Sequence, residues 1–135
     1  ISFHLKNKNF DIVVPYLNIK YKHNPNNVKI LSNSSGKVLY FTRSLAPFLF
    51  NKNNYKLKKH LSIISFKKKT LFEFSKLQQG ELEKIEGIEL MRALENNLAV
   101  GTFKLKSHSL AIDVKSDIAK VKKAMKEDKI AKKYL

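Results

Sequence analysis

Apolar and polar residues alternate along the first third of the chain, and apolar residues recur at steps of three and four in its second half. Ile12, Val13, Val14, Tyr16, Leu17, Ile19 and Tyr21 predict a strand over residues 12–22. Pro15 has no N–H to donate, so it is expected at a sheet edge or at a bulge. His23-Asn24-Pro25-Asn26-Asn27 reads as a turn, because Asn tolerates left-handed dihedrals and Pro presets one of them. Residues 28–32 predict a second strand, with Val28 and Ile30 on one face and Lys29 and Leu31 on the other. Asn33-Ser34-Ser35-Gly36 then turns the chain, and Lys37 to Arg43 returns it with Val38, Tyr40 and Thr42 on one side. The expected unit over 12–45 is an antiparallel three-stranded meander.

Residues 46–80 are less regular and read as a basic loop region. Leu45–Phe50 is apolar, Asn51–Lys59 is a basic loop, and His60–Phe66 fits a further strand. From Thr70 the pattern drifts towards helix, although Phe72 and Phe74 still alternate. After Gly80, Leu82, Ile85, Ile88, Met91, Leu94 and Leu98 predict one amphipathic helix over 81–98, with Glu81, Glu83, Glu86, Glu89 and Glu95 around its polar face. Gly87 inside this run costs about 1 kcal/mol relative to Ala, which points to a close backbone approach there. Thr102–Lys106 reads as a strand and Leu110–Val114 as an extended segment. Ser116 caps a last helix over 116–128 that carries Ile118, Val121 and Met125 on one stripe. The fold class is therefore α/β or α+β, a meander followed by helix, strand and helix, with the helices packed on a mixed sheet. One domain over 1–135 is the expected organisation.

Charge changes the picture more than any motif. The chain holds 27 Lys and Arg against 11 Asp and Glu, a formal +16. Residues 1–70 contain thirteen Lys and Arg43 but only Asp11 as an acid, whereas residues 71–135 are close to balanced. Lys is a hydrated point charge suited to phosphate, so the first half is expected to meet a polyanion through backbone contacts. The candidate stations are Lys20, Lys22 and Lys29 around the turn at His23, Asn24, Asn26 and Asn27. Lys37 and Arg43 mark the ends of the return strand. Lys52, Lys56, Lys58 and Lys59 lie in one loop, and Lys67, Lys68 and Lys69 in another. Self-repulsion among so many cations disfavours a compact state unless an anionic polymer neutralises it.

Other chemistry is sparse. Cysteine is absent, which removes disulfides and thiolate chemistry. His4, His23, His60 and His108 lack partners at ligand or dyad spacing and read as solvated or RNA-adjacent residues. The glutamates after Gly80 read as solvated charge. Phe48, Phe50, Phe66, Phe72 and Phe74 read as core residues because Leu and Ile accompany them. No nucleophile elbow or phosphate-cradling glycine loop is present. These features point to a protein that is not an enzyme, with no catalytic residue, metal, cofactor or small-molecule substrate. No stretch is long and apolar enough for a membrane span. The start at Ile1 fits either a trimmed targeting segment or a disordered stretch upstream.

Ile19-Lys20-Tyr21-Lys22-His23-Asn24-Pro25-Asn26-Asn27, the turn Ser34-Ser35-Gly36 and the strand Val38-Leu39-Tyr40-Phe41 resemble the small-subunit ribosomal protein eleven family, in its organellar form. Pro25 interrupts that family's Asn turn, and its C-terminal Pro-His-Asn-Gly tail is missing here. Large-subunit ribosomal protein eighteen has a similar element order. The resemblance implies a structural constituent of a mitochondrial ribosome that contacts ribosomal RNA and neighbouring ribosomal proteins. It carries Lys20, Lys22, His23, Asn24, Asn26 and Asn27 over as RNA contacts. The alternatives are a non-ribosomal basic RNA-binding module or a factor docking on anionic membrane.

Overall fold

The computed structural model describes residues 1–51, 54–105, 112 and 115–128. In chain order they form α1 (Ser2–Lys6), β1 (Ile12–Ile19), β2 (Lys29–Ser32), β3 (Val38–Thr42), β4 (Leu57–His60) and β5 (Ser65–Phe66). These are followed by α2 (Lys68–Phe74), α3 (Glu81–Glu86), α4 (Leu90–Glu95), β6 (Val100–Lys104) and α5 (Asp117–Glu127). The α/β expectation holds, with a mixed sheet and helices packed around it.

β1 is the centre of the sheet. Its run Ile12-Val13-Val14 is almost fully buried, as a strand covered on both faces requires. β6 lies parallel along one edge, with Ile12 opposite Val100 and Tyr16 opposite Lys104. β4 and β5 run antiparallel along the other. There Tyr16 faces His60 and Ile12 faces Phe66, so the β4–β5 segment has two residues more than β1 between these pairs. The surplus bulges out over Leu61–Ile64. Pro15 lies opposite that bulge: its carbonyl accepts the Leu61 N–H at 3.2 Å. The missing donor of Pro15 therefore falls where the ladder is already interrupted.

The three-stranded meander does not form. β2 and β3 make a hairpin with Ile30 opposite Phe41, but β4 inserts between β1 and β2, with Lys29 opposite Lys59. Residues 20–28 are too long a connection for a tight hairpin, so β1 is free to pair elsewhere. The predicted first strand also ends at Ile19 rather than at residue 22. At the far end the sheet curls until Lys37 bridges Gly101 and the Thr102 N–H donates to the Gly36 carbonyl at 2.8 Å.

The helix expected over 81–98 is two helices. Gly87 adopts φ +62° and closes α3 in the left-handed conformation, and α4 starts again at Leu90. This kink turns Ile88, Leu90, Met91 and Ala93 onto the sheet beside Ile12, Val14, Ile30, Val38, Phe41 and Val100. Glu95 reaches back from α4 to accept the N–H groups of Leu82 at 3.0 Å and Glu83 at 3.4 Å, capping the start of α3. The basic loop expected up to Lys59 ends earlier, because Leu57 is buried and begins β4. Phe72 and Phe74 lie on α2, not on a strand. α5 follows Ser116 as expected, but Ser116 makes no side-chain cap bond and no residue of this helix is buried. Lys52 and His108 lie outside the described residues, as does most of Leu110–Val114.

Candidate functional site

A cavity of about 440 Å³ opens where the end of β4, the turn before β2 and the α3–α4 corner meet. Asn26, Arg43, His60, Ser62 and Glu89 supply its polar groups, and Val28, Ile64, Ile88 and Leu90 its apolar wall. A concave site that joins a few polar groups to apolar walls is the usual form of a small-molecule pocket.

His60 is its most distinctive member. The ring stands edge-on to Phe41 at 5.7 Å between centroids, and its Nε2 has no hydrogen-bond partner. It is the one buried side-chain nitrogen or oxygen in that condition among the described residues. A buried polar atom without a partner is costly, and such atoms cluster where a ligand completes them. Burial pushes the imidazole down to about 4, against the opposing pull of Glu89, so the ring is neutral at pH 7.

Arg43 frames the opposite wall. Its Nε donates to the Glu86 carbonyl at 2.9 Å, Nη1 to the Pro25 carbonyl at 2.9 Å and Nη2 to the Gly87 carbonyl at 3.2 Å. One side chain thus ties the Asn24–Asn27 turn to the α3–α4 corner. Below it, the Lys29 side chain is buried and its Nζ donates to the carbonyls of Asn24 and Arg43. Burial lowers the Lys29 pKa, with Glu86 opposing that shift. Asn24 organises the turn through its own Oδ1, which accepts the Asn26 N–H at 2.9 Å.

Of the basic and turn residues singled out in the sequence, Asn26 and Arg43 line this cavity, and Asn24 and Lys29 support it. The others scatter. Lys20, Lys22, His23, Lys37, Lys56, Lys68 and Lys69 are exposed. Lys58 crosses the sheet to Ser32 Oγ at 2.5 Å and lies 5.2 Å from the Tyr16 ring centre. Lys59 pairs along β4, Asn27 closes the turn, and Lys67 bridges to Asp11 at 3.1 Å. The Lys29 Nζ and three nitrogens of Arg43 donate to main-chain carbonyls, which gives both cations a structural role.

Other side chains depart from the expectation as well. His4 is buried, and its Nε2 donates to the Phe10 carbonyl at 3.0 Å while Nδ1 meets Ser65 Oγ at 2.8 Å. His60 is likewise no solvated residue. Glu81 and Glu89 are exposed as expected, but the other three glutamates are not a solvated face. Glu83 is buried against Arg92, Glu86 accepts from Thr42 and from the Arg43 main chain, and Glu95 caps α3. Phe66 and Phe74 pack together, 5.4 Å apart, but Phe48, Phe50 and Phe72 are exposed. Sequence reasoning missed His60, Ser62, Ile64 and Glu89 as a group, because the bulge and the Gly87 kink that gather them carry no linear motif. Among the described residues no three His, Asp or Glu side chains converge as a metal site.

Comparison with known proteins identifies the chemistry associated with this architecture. A family model described as cytidylyltransferase matches residues 3–123. The 3-deoxy-manno-octulosonate cytidylyltransferase of Rickettsia canadensis is 36% identical over 87% of this chain and 47% of its own length. The enzyme of that name from Rickettsia typhi is 35% identical over 93% of this chain and 51% of its own. That from Fusobacterium nucleatum is 31% identical over 84% and 46%. A solved structure of CMP:2-keto-3-deoxy-manno-octonic acid synthetase complexed with CTP superposes with a TM-score of 0.85 at 22% identity. It covers 93% of this chain and 53% of that one, and it shows a shared fold. The chain spans about half the length of the curated relatives it matches.

These relationships overturn the ribosomal expectation. The likeness to the small-subunit protein eleven and large-subunit protein eighteen families rested on a basic strand, an Asn turn and a hairpin, which any fold with that local turn chemistry can share. The partners implied there, ribosomal RNA and ribosomal proteins, fall with it, as does the exclusion of a small-molecule substrate. The basic RNA-binding module and the membrane-docking factor are set aside on the same grounds. The relatives are bacterial, which removes the support for a mitochondrial location, and the family is one of enzymes, which corrects the non-enzyme reading. Through a match that runs over nearly its whole length, the chain belongs to the cytidylyltransferase family.

Proposed function

We propose that this chain supplies the acceptor pocket of a cytidylyltransferase that activates an eight-carbon 3-deoxy sugar acid of the 3-deoxy-manno-octulosonate class. In the reaction a hydroxyl oxygen of the acceptor attacks the α-phosphorus of CTP and forms a new phosphoester bond. The bond from that phosphorus to the bridging oxygen breaks, pyrophosphate leaves, and the hydroxyl proton passes to solvent.

The observation that carries the proposal is the unpartnered, neutral His60 Nε2 in a cavity that also holds Glu89, Asn26 and Ser62. A sugar acid offers hydroxyls and a carboxylate, and these side chains offer complementary donors and acceptors. The neutral imidazole makes one hydrogen bond through Nε2, the Glu89 carboxylate accepts from hydroxyls, and the Asn26 amide can do either. Val28, Ile64 and Leu90 meet the apolar face that a deoxygenated ring carbon provides. Arg43 acts through the wall. It fixes the two loops between which the acceptor is oriented, which lowers the entropic part of the barrier.

The test is titration of the protein with 3-deoxy-manno-octulosonate while the histidine ring nitrogens are followed by long-range proton–nitrogen NMR. Saturable movement of the His60 Nε2 resonance with a Kd on the order of 1 mM or tighter is expected, and Glu89→Gln should weaken it about tenfold. Unchanged His60 signals at sugar concentrations on the order of 10 mM, about 2.7 kcal/mol of binding at most, would rule the pocket out as an acceptor site.

A further inference from the structure

Lys29, at the start of β2, is 1% exposed and is the largest fully buried side chain among the described residues. A lysine is almost never buried to this degree without partners. Its Nζ donates to the carbonyl of Asn24 at 3.0 Å and to that of Arg43. These carbonyls belong to the two segments that bring Asn26 and Arg43 to the cavity. The Asn24 side chain in turn holds the Asn26 N–H, and the Arg43 guanidinium holds the next carbonyl, that of Pro25. Two cations thus grip consecutive carbonyls of one turn, Lys29 from beneath and Arg43 from the cavity wall. Glu86 opposes the effect of burial on the Lys29 charge, but its carboxylate oxygens are taken by Thr42 and the Arg43 main chain. A methionine would fill the same space with no ammonium to desolvate, so packing alone gives no reason for a charge here.

We infer that Lys29 is a positioning residue for the acceptor: its ammonium sets the spacing between the Asn24–Asn27 turn and the end of β3, and so holds Asn26 in the cavity that His60 lines. Lys29 is not itself a lining residue and touches no acceptor atom. The inference deepens the proposed function and rests on it. Without the ammonium the Asn24 carbonyl loses this donor, the turn hangs on Arg43, and Asn26 samples positions that a bound sugar must then restrict. That lost freedom weakens binding. The core between α4 and the sheet does not depend on the turn and keeps its packing. The coupling is reciprocal: if the Lys29 bonds favour the sugar, the sugar favours the Lys29 bonds by the same factor.

The test uses the absence of cysteine, which makes Lys29→Cys the carrier of a single thiol. In denaturant its thiolate displaces bromide from 2-bromoethylamine, and the new S–C bond gives a side chain of lysine's length that ends in an ammonium. The same displacement on 1-bromopropane gives a neutral side chain of the same length. Both proteins and the parent are refolded alike and titrated with 3-deoxy-manno-octulosonate, with the His60 Nε2 and Asn26 side-chain amide signals followed by NMR. The aminoethyl protein should match the parent Kd within about twofold, and the propyl protein should bind at least about tenfold more weakly, with its Asn26 signals displaced before any sugar is added. In the unmodified parent, saturating sugar should slow proton exchange of the Lys29 ammonium by at least about tenfold. Equal affinities of the two alkylated proteins, or ammonium exchange unchanged by sugar, would overturn the positioning role. If the propyl protein does not refold, the exchange measurement in the parent decides. A parent whose His60 ignores the sugar would strike the proposed function, and the sugar-free Asn26 signals would then decide separately whether the Lys29 charge sets the turn.

Discussion

Arg43 and Glu86 hold each other through both main chain and side chain. The Arg43 N–H donates to Glu86 Oε2 at 2.8 Å, and the Arg43 Nε donates to the Glu86 carbonyl at 2.9 Å. The second carboxylate oxygen of Glu86 accepts the Thr42 hydroxyl at 2.7 Å. The end of β3 and the end of α3 are thereby locked in one geometry, and the candidate cavity lies between them.

Glu86→Ala removes the acceptor for a buried Thr42 hydroxyl and for the Arg43 N–H. The expected loss is about 1–3 kcal/mol, the cost of leaving such groups unsatisfied. Denaturant unfolding measures it, and sugar binding should weaken in the same variant because the Arg43 clamp loosens. A change within about 0.5 kcal/mol would show that water replaces the carboxylate without loss.

Glu83 and Arg92 form a buried pair, with two bonds of 2.6 Å and a third from Arg92 Nη1 to the Leu77 carbonyl at 3.1 Å. Arg92→Leu strands the carboxylate and should cost about 3–5 kcal/mol. The bonds to Arg92 hold the Glu83 pKa below its ordinary value of 4.5, although burial pushes the other way. A carboxylate with a depressed folded pKa stabilises the fold above its unfolded value, and that contribution disappears as the pH falls through the folded one. Unfolding free energy should therefore drop below about pH 4.5 in the parent and lose that dependence in a Glu83→Gln/Arg92→Leu double variant.

His60 has the opposite sign of charge and titrates in a higher window. Its folded pKa of about 4 lies below the ordinary 6.5, so between these values the unfolded chain binds the proton more readily. Stability should rise with pH from about 4 to 6.5 on this account, and His60→Phe should flatten that segment of the curve. Guanidinium unfolding at several pH values checks it. Parallel curves for parent and variant would mean that the ring is not buried as described.

Two glycines should respond differently to Ala. Gly87 has φ +62°, and a Cβ there would meet nothing closer than the Arg43 Nε at 4.0 Å, so Gly87→Ala costs only the left-handed strain, about 1–2 kcal/mol. At Gly101 a Cβ would overlap the Phe10 ring, which must move out of its packing. Thermal unfolding should rank Gly101→Ala as the more damaging of the two.

The periodicity of the chain located the β2–β3 hairpin and the helical character after Gly80, and it found the strand after that helix two residues late, at Thr102–Lys106 where β6 spans Val100–Lys104, because side-chain alternation and helical spacing are local properties. It also read the turn at His23–Asn27 correctly from the chemistry of Asn and Pro. Net charge was equally plain, but it misdirected the functional reading. The charge of a lysine is visible in sequence, whereas whether its ammonium is free or bound to main-chain carbonyls, as at Lys29, is not.

The amino-acid order by itself determined the mixed α/β composition and the apolar run that becomes β1, whereas it left Gly87 inside a single expected helix. Only the tertiary structure decided that β4 would slide between β1 and β2, that the His60 Nε2 would be buried and unpartnered, and that Glu86 would meet Arg43 across 43 positions. Strand order and burial follow from which distant surfaces exclude water together. That is a collective property of the packed chain, which no local spacing of residues encodes.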